Sequence, residues 1–129
     1  MKIILSIVFL TVIASGYFWY SAMPTAVCKS SETSTPYCKY IGKINKIYLN
    51  RDGLALVFID APFGIKQAKE YGYDIKSGNI VALNINDSLA DKYLYDMLNS
   101  AFTNQNRIEM HARNTLNGYL KLDRIWINK

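Results

Sequence analysis

Side chains able to do chemistry are few in this chain. It holds one histidine (His111), two cysteines (Cys28 and Cys38) and three glutamates (Glu32, Glu70 and Glu109). Nucleophilic catalysis needs a serine or cysteine beside a base. Ser30, Ser31, Ser34 and Ser88 have no accompanying His–Asp pattern, and no G-x-S-x-G turn occurs. Asp52 and Asp60 flank one apolar run, where turn residues are as natural as paired carboxylates. Neither a glycine-rich phosphate cradle nor a zinc spacing is present. The expectation is a protein that is not an enzyme and takes no metal and no cofactor. His111 lies in RIEMHA, where strand alternation sets Ile108, Met110 and Ala112 on one face and Arg107, Glu109 and His111 on the other. That is the setting of a solvated or hydrogen-bonded histidine.

Surface recognition is what the composition supplies instead. Ten tyrosines offer flat rings with hydroxyls, suited to stacking on sugar faces or nucleobases. Tyr37 and Tyr40 lie near Lys39 and Lys43, while Tyr71 and Tyr73 fall in a loop-like stretch. Tyr37, Tyr40, Lys43, Tyr71 and Tyr73 are therefore the candidate ligand contacts, with half-buried packing as the alternative for each. Lys39, Lys43, Lys46 and Arg51 cluster around one hairpin, either as a solvated edge or as an anion-favouring surface. The net charge of +5 carries no polybasic run, which excludes a basic nucleic-acid arm.

The N-terminus reads MKIILSIVFLTVIASGYFWY: a lysine, an apolar stretch from Ile3 to Ile13, then Ala14-Ser15-Gly16. This is the pattern of a secretory signal peptide, with a cut before Tyr17. Tyr17 to Tyr20 prolong the apolar run to about 18 residues, so an uncleaved anchor is the alternative. Both place the rest of the chain in the periplasm or outside the cell. Cys28 and Cys38 flank a Ser/Thr/Pro-rich stretch, and in an oxidising compartment such a pair is most simply a disulfide.

At 129 residues the chain has room for one small domain. Three segments are expected: a signal peptide or anchor over 1–22, a disulfide-closed segment over 23–40, and a folded domain over 41–129. Ile41 to Leu49 and Leu54 to Ile59 read as strands around the Asp52-Gly53 turn. Residues 60–78 read as a long loop, and Asn79 to Ile85 as a third strand. Asp87-Ser88 caps a helix whose stripe of Leu89, Tyr93, Leu94, Met97, Leu98, Ala101 and Phe102 is expected to face the core. Arg107 to Ala112 and Tyr119 to Ile127 supply two more strands, joined through residues 113–118. The expectation is a mainly β barrel with one helix, in the OB-fold-like order of three strands, a helix and two strands; such barrels commonly bind oligonucleotides or oligosaccharides.

The runs GKINKIYLNRDGLALVFI, SLADKYLYDMLNSAFTNQNRIEMHA and GYLKLDRIWIN resemble the secreted B-subunit-like proteins related to subtilase cytotoxin and the typhoid toxin binding subunit. The similarity covers roughly residues 41–127. It implies an OB-fold that assembles as a homo-oligomeric ring, commonly a pentamer, and binds sialylated glycan or glycoprotein receptors. Any catalytic A subunit would be a separate chain. Toxin members hold sialic acid with a serine just ahead of the first strand; this chain has Tyr40-Ile41-Gly42 there, so that residue does not carry over. Three functions follow as expectations. The first is an exported glycan-binding B-subunit-type protein. The second is a periplasmic or membrane-anchored structural module that binds a protein. The third is a nucleic-acid binder, against which export argues, so no nucleic-acid partner is expected.

Overall fold

The computed structural model describes residues 23–128. The expected signal or anchor lies outside the described residues. In chain order the elements are β1 (Thr25–Ser31), β2 (Ser34–Gly42), β3 (Ile44–Leu49), β4 (Leu54–Ile59), α1 (Ile65–Glu70), β5 (Ile80–Asn84), α2 (Leu89–Thr103), β6 (Ile108–Leu116) and β7 (Tyr119–Ile127). The strands form one seven-stranded sheet in the order β1-β2-β6-β7-β5-β4-β3. The β5–β7 pair is parallel and every other pair antiparallel. Among the described residues no helix is long and apolar enough to cross a membrane.

Local chemistry explains most of these elements. The β3–β4 hairpin turns where expected: Gly53 has φ +89°, and Asn50 Oδ1 accepts from the Asp52 and Leu54 amides at 3.0 and 3.1 Å. In β4, Ala55, Val57 and Ile59 alternate into the core, and β5 buries Val81, Ala82 and Leu83 in succession. Ser88 caps α2, its Oγ accepting from the Asp91 amide at 3.1 Å and donating to the Asp91 carboxylate at 2.7 Å.

The structure departs from the sequence expectation in four places. The disulfide-closed segment is a β-hairpin, with Cys28 opposite Cys38 and both buried, and β2 runs across the expected boundary between residues 40 and 41. The stretch over 60–78 contains α1 and is packed rather than loose, burying Phe63, Ala68, Tyr73 and Ile75. A side chain on Gly78 would run into the Phe63 carbonyl, so only glycine allows that approach. β6 continues to Leu116 and turns through Asn117 and Gly118, both at positive φ, in a two-residue hairpin. Finally, α2 turns only part of its stripe inward. Leu98 and Ala101 are buried with Leu94 and Phe102 beside them, whereas Leu89 is 63% and Tyr93 61% exposed. At about 100° per residue, Leu89 lies roughly 180° and Tyr93 roughly 140° around the helix from Leu98.

One junction shapes the whole sheet. β2 and β3 are separated in the chain by Lys43 alone, yet four strands stand between them in the sheet. Laid flat at about 4.8 Å per strand, they would lie about 24 Å apart. A single intervening residue spans at most about 7 Å. The sheet therefore curls until its far strands meet at Lys43, although no ladder joins β3 to β1 and the sheet is not closed. Backbone pairing lapses at this seam: Gly42 still pairs with Ile108, and Ile44 already pairs with Ile59.

Tyr40 bridges the gap. Its ring is fully buried, and its hydroxyl donates to the Lys43 carbonyl at 2.6 Å while accepting from the Asp60 amide at 3.4 Å. Burial raises this phenol above its usual value near 10, so it stays a neutral donor across the physiological range. A Cβ on Gly42 would collide with the Tyr40 hydroxyl and approach the Pro24 Cβ to 2.9 Å, which explains the glycine.

Two stability changes are expected. Tyr40→Phe leaves the seam's backbone groups without their partner and should lower unfolding free energy by about 1–2 kcal/mol. An unchanged urea midpoint would contradict the bridging role. Replacing Cys28 and Cys38 together with serine should cost about 2–3 kcal/mol by the loop-entropy argument, read from the same titration.

Candidate functional site

Alternation in β2, β6 and β7 sends two sets of side chains to opposite faces. Cys38, Tyr40, Ile108, Met110 and Ala112 point into the core. Tyr37, Lys39, Glu109, His111 and Arg113 point outward. In β7 the period slips. Ala112 pairs with Leu122 and His111 with Arg124, so Asp123 is an extra residue and the strand bulges. Both Asp123 and Arg124 then face solvent, and Trp126 comes opposite Glu109 on the same outer face.

A diagonal ridge of rings crosses these three strands. Tyr37 and His111 stack with centroids 4.6 Å apart and planes at 21°. His111 and Trp126 also lie 4.6 Å apart, tilted by 58°. The Arg113 guanidinium carbon sits 5.8 Å from the Tyr37 centroid. Tyr37 and His111 stack on each other, and Trp126, 42% exposed, is the most exposed ring of the three.

Electrostatics around the ridge are lopsided. His111 Nε2 lies 3.1 Å from Glu109 Oε2; a carboxylate only accepts, so the imidazole donates through Nε2. Burial lowers the His111 pKa below 6.5, more strongly than the Glu109 hydrogen bond raises it, and the nearby cations Arg124 and Lys39 push it the same way as burial. His111 is therefore neutral at pH 7. Asp123 accepts from Arg124 Nε at 2.7 Å. Arg113 Nε pairs with that carboxylate only at 4.0 Å, too far for a hydrogen bond, and is buried with no hydrogen-bond partner among the described residues.

A second feature lies at the seam, where Pro24, Gly42, Lys43, Asp60 and Arg107 line an open cleft of about 250 Å³. Among the described residues no three His, Cys, Asp or Glu side chains gather as a metal ion would require.

Set against protein-family models, curated proteins and solved structures, the chain matches none.

The five sequence candidates scatter. Tyr37 joins the ridge. Lys43 lines the seam cleft, about 20 Å from Tyr37 along the strand direction. Tyr40 and Tyr73 are buried: Tyr40 bridges the seam, and the Tyr73 hydroxyl donates to the Pro36 carbonyl, so neither presents a ring to solvent. Tyr71 is half-buried against the core behind α1. Of the expected basic cluster, only Lys39 lies beside the ridge; Lys46 is turned over the Phe58 ring at 4.4 Å. His111, Arg113, Arg124 and Trp126 were not candidates. Two signals point to them: Asn117-Gly118, which pairs β6 with β7, and the polar doublet Asp123-Arg124 where alternation allows one residue.

A pH effect follows. A histidine whose folded pKa is depressed contributes stability that is complete above the unfolded value, about 6.5. As pH falls below that, the unfolded chain takes up a proton first, and stability declines until the folded pKa is passed. Urea midpoints measured from pH 7.5 to 5 should drop for the native sequence and drop less steeply for His111→Gln. Equal slopes would show that His111 is not held neutral by the fold.

Proposed function

We propose that this protein is an exported, non-enzymatic binding module that recognises a saccharide on the outer face of β2, β6 and β7. The observation that carries this reading is the Tyr37–His111–Trp126 ridge, whose tryptophan is 42% exposed among hydrogen-bonding side chains. Sugars offer apolar C–H faces to such a ring and hydroxyls to flanking carboxylates and cations, the combination that Trp126, Glu109, Lys39 and Arg124 supply.

Several further features support the reading. The Cys28–Cys38 disulfide suits an oxidising, non-cytoplasmic compartment, in keeping with the signal-like N-terminus. An OB-fold is favoured by the consecutive halves β2 and β3 at far sides of the sheet, the parallel β5–β7 pair, and α2 between β5 and β6. A toxin-B-subunit-like ring, with any A subunit as a separate chain, belongs to the same proposal.

The alternative, an envelope module that binds protein, draws on another surface. Leu89, Tyr93 and Met97 form an exposed apolar row along α2, four residues apart, which is the kind of face a protein partner covers.

A glycan array probed with disulfide-bonded protein tests the leading reading. The native protein should retain at least one glycan, and Trp126→Ala should weaken that binding about tenfold or more, since a tenfold change is about 1.4 kcal/mol and one aromatic contact supplies that much. Trp126 is exposed, so the variant should melt with the parent. Absence of any bound glycan, or binding indifferent to Trp126, would remove the proposal.

A further inference from the structure

The outer face carries more than rings, and its charge arrangement points to a ligand class. β1 extends the face by one strand: Cys28 points inward, so Lys29, the register partner of Tyr37, points outward. The cations around the ridge are then Lys29, Lys39, Arg113 and Arg124, against the carboxylates Glu109 and Asp123; Lys121, also outward on β7, is paired with Asp87 at 3.8 Å. Four positive groups less two negative leave the surroundings of the ridge at +2. Both carboxylates are already engaged, Glu109 by His111 and Asp123 by Arg124. Lys29 and Lys39 make no ion pair among the described residues, and Arg113 keeps an unsatisfied Nε. Donors therefore exceed acceptors, and the surplus is cationic.

The layout is extended. Lys39, His111 and Arg124 are register partners across β2, β6 and β7, so two cations flank the imidazole about 5 Å to either side. Lys29 lies one strand beyond β2, beside Tyr37, and Arg113 leans over the same ring. Cations thus line a band about 15 Å wide, with Trp126 at the opposite end of the ridge. The one cleft described above sits elsewhere, at the seam.

We infer that this face binds a linear anionic glycan, one that carries sulfate or carboxylate groups along its chain. One sugar stacks on Trp126, and the charged substituents of its neighbours reach Lys39, Arg113 and Lys29. The inference rests on the saccharide reading of the face and adds the charge and shape of the ligand. A single-stranded nucleic acid is also an anionic chain, but it calls for successive free ring faces. Here Tyr37 and His111 stack on each other, so they do not stand apart as separate platforms for successive bases.

The test compares, on intact disulfide-bonded protein, a sulfated heparin-derived hexasaccharide, its fully desulfated counterpart, a neutral cello-oligosaccharide and a single-stranded oligonucleotide. The sulfated chain should bind at least about tenfold more tightly than the neutral one, and binding should weaken from 50 to 300 mM salt as screening shortens. Lys29→Gln with Lys39→Gln should weaken it about tenfold at unchanged melting temperature, because neither lysine holds another group. Trp126→Ala should weaken the sulfated and any neutral ligand alike. Binding of neutral glycans with no preference for sulfate would overturn the inference and leave the saccharide reading intact. Retention of the oligonucleotide alone, or of no ligand, would overturn both. Sulfated-glycan binding unmoved by the double lysine variant and by Trp126→Ala would place the site off this face and overturn the inference.

Discussion

The hydroxyl of Tyr40 sits where the geometry of this protein is most constrained. A chain that passes from β2 to β3 through Lys43 alone forces the sheet to curl, and the curl breaks the regular exchange of backbone hydrogen bonds at that corner. A buried tyrosine that reaches both the Lys43 carbonyl and the Asp60 amide supplies what the ladder cannot. The glycine beside it, the burial of its ring and the neutrality of its phenol all serve that one contact.

Curling has a second effect, on the outside. It sets β2, β6 and β7 side by side with their inner residues committed to the core, so the alternate residues form one outward surface. On that surface the Asp123 bulge matters as much as the strands. If β7 ran through Asp123 without bulging, Trp126 would fall on the other side of the strand, since a one-residue shift in a strand reverses every later side chain. The bulge keeps Leu120 and Leu122 buried before it and Ile125 buried after it, while bringing Trp126 up against His111.

Legibility in the sequence followed the range of the interactions. The hairpin at Asp52-Gly53, the apolar run of β4 and the cap at Ser88 are local, and each was readable from a few neighbouring residues. The β1–β2 hairpin was not, because a Ser/Thr/Pro-rich segment becomes strand only through its cross-link and through the pairing of β2 with β6. α1 buries one alanine, too little apolar pattern to announce a helix. Leu89 and Tyr93 matched the spacing of the core stripe, but the angular drift over two turns of α2 carries them to the far side. The outer face was hardest. Tyr37, His111 and Trp126 are remote in sequence, and which rings meet depends on the neighbour order of strands. Tyr40 and Tyr73 were drawn in for their chemistry, though their rings are buried and their hydroxyls serve backbone carbonyls.

The hairpin of β1 and β2 forms one margin of an open sheet, and that margin is fastened in two ways. The disulfide ties β1 to β2, and Gln67 of α1 reaches over to accept from the Cys28 amide at 3.0 Å. Bare strand margins invite a neighbouring chain to add on. Made where thiols stay reduced, this protein would hold β1 by its ladder, the Gln67 contact and the packing of Ala26 and Cys28 against the core. Fraying there would lay open the rim of β2, the strand that carries Tyr37 and Lys39. Oxidation of the cysteine pair therefore shields the margin of the sheet as much as it staples the hairpin, and the chain is better guarded against pairing with its own copies once that bond has closed.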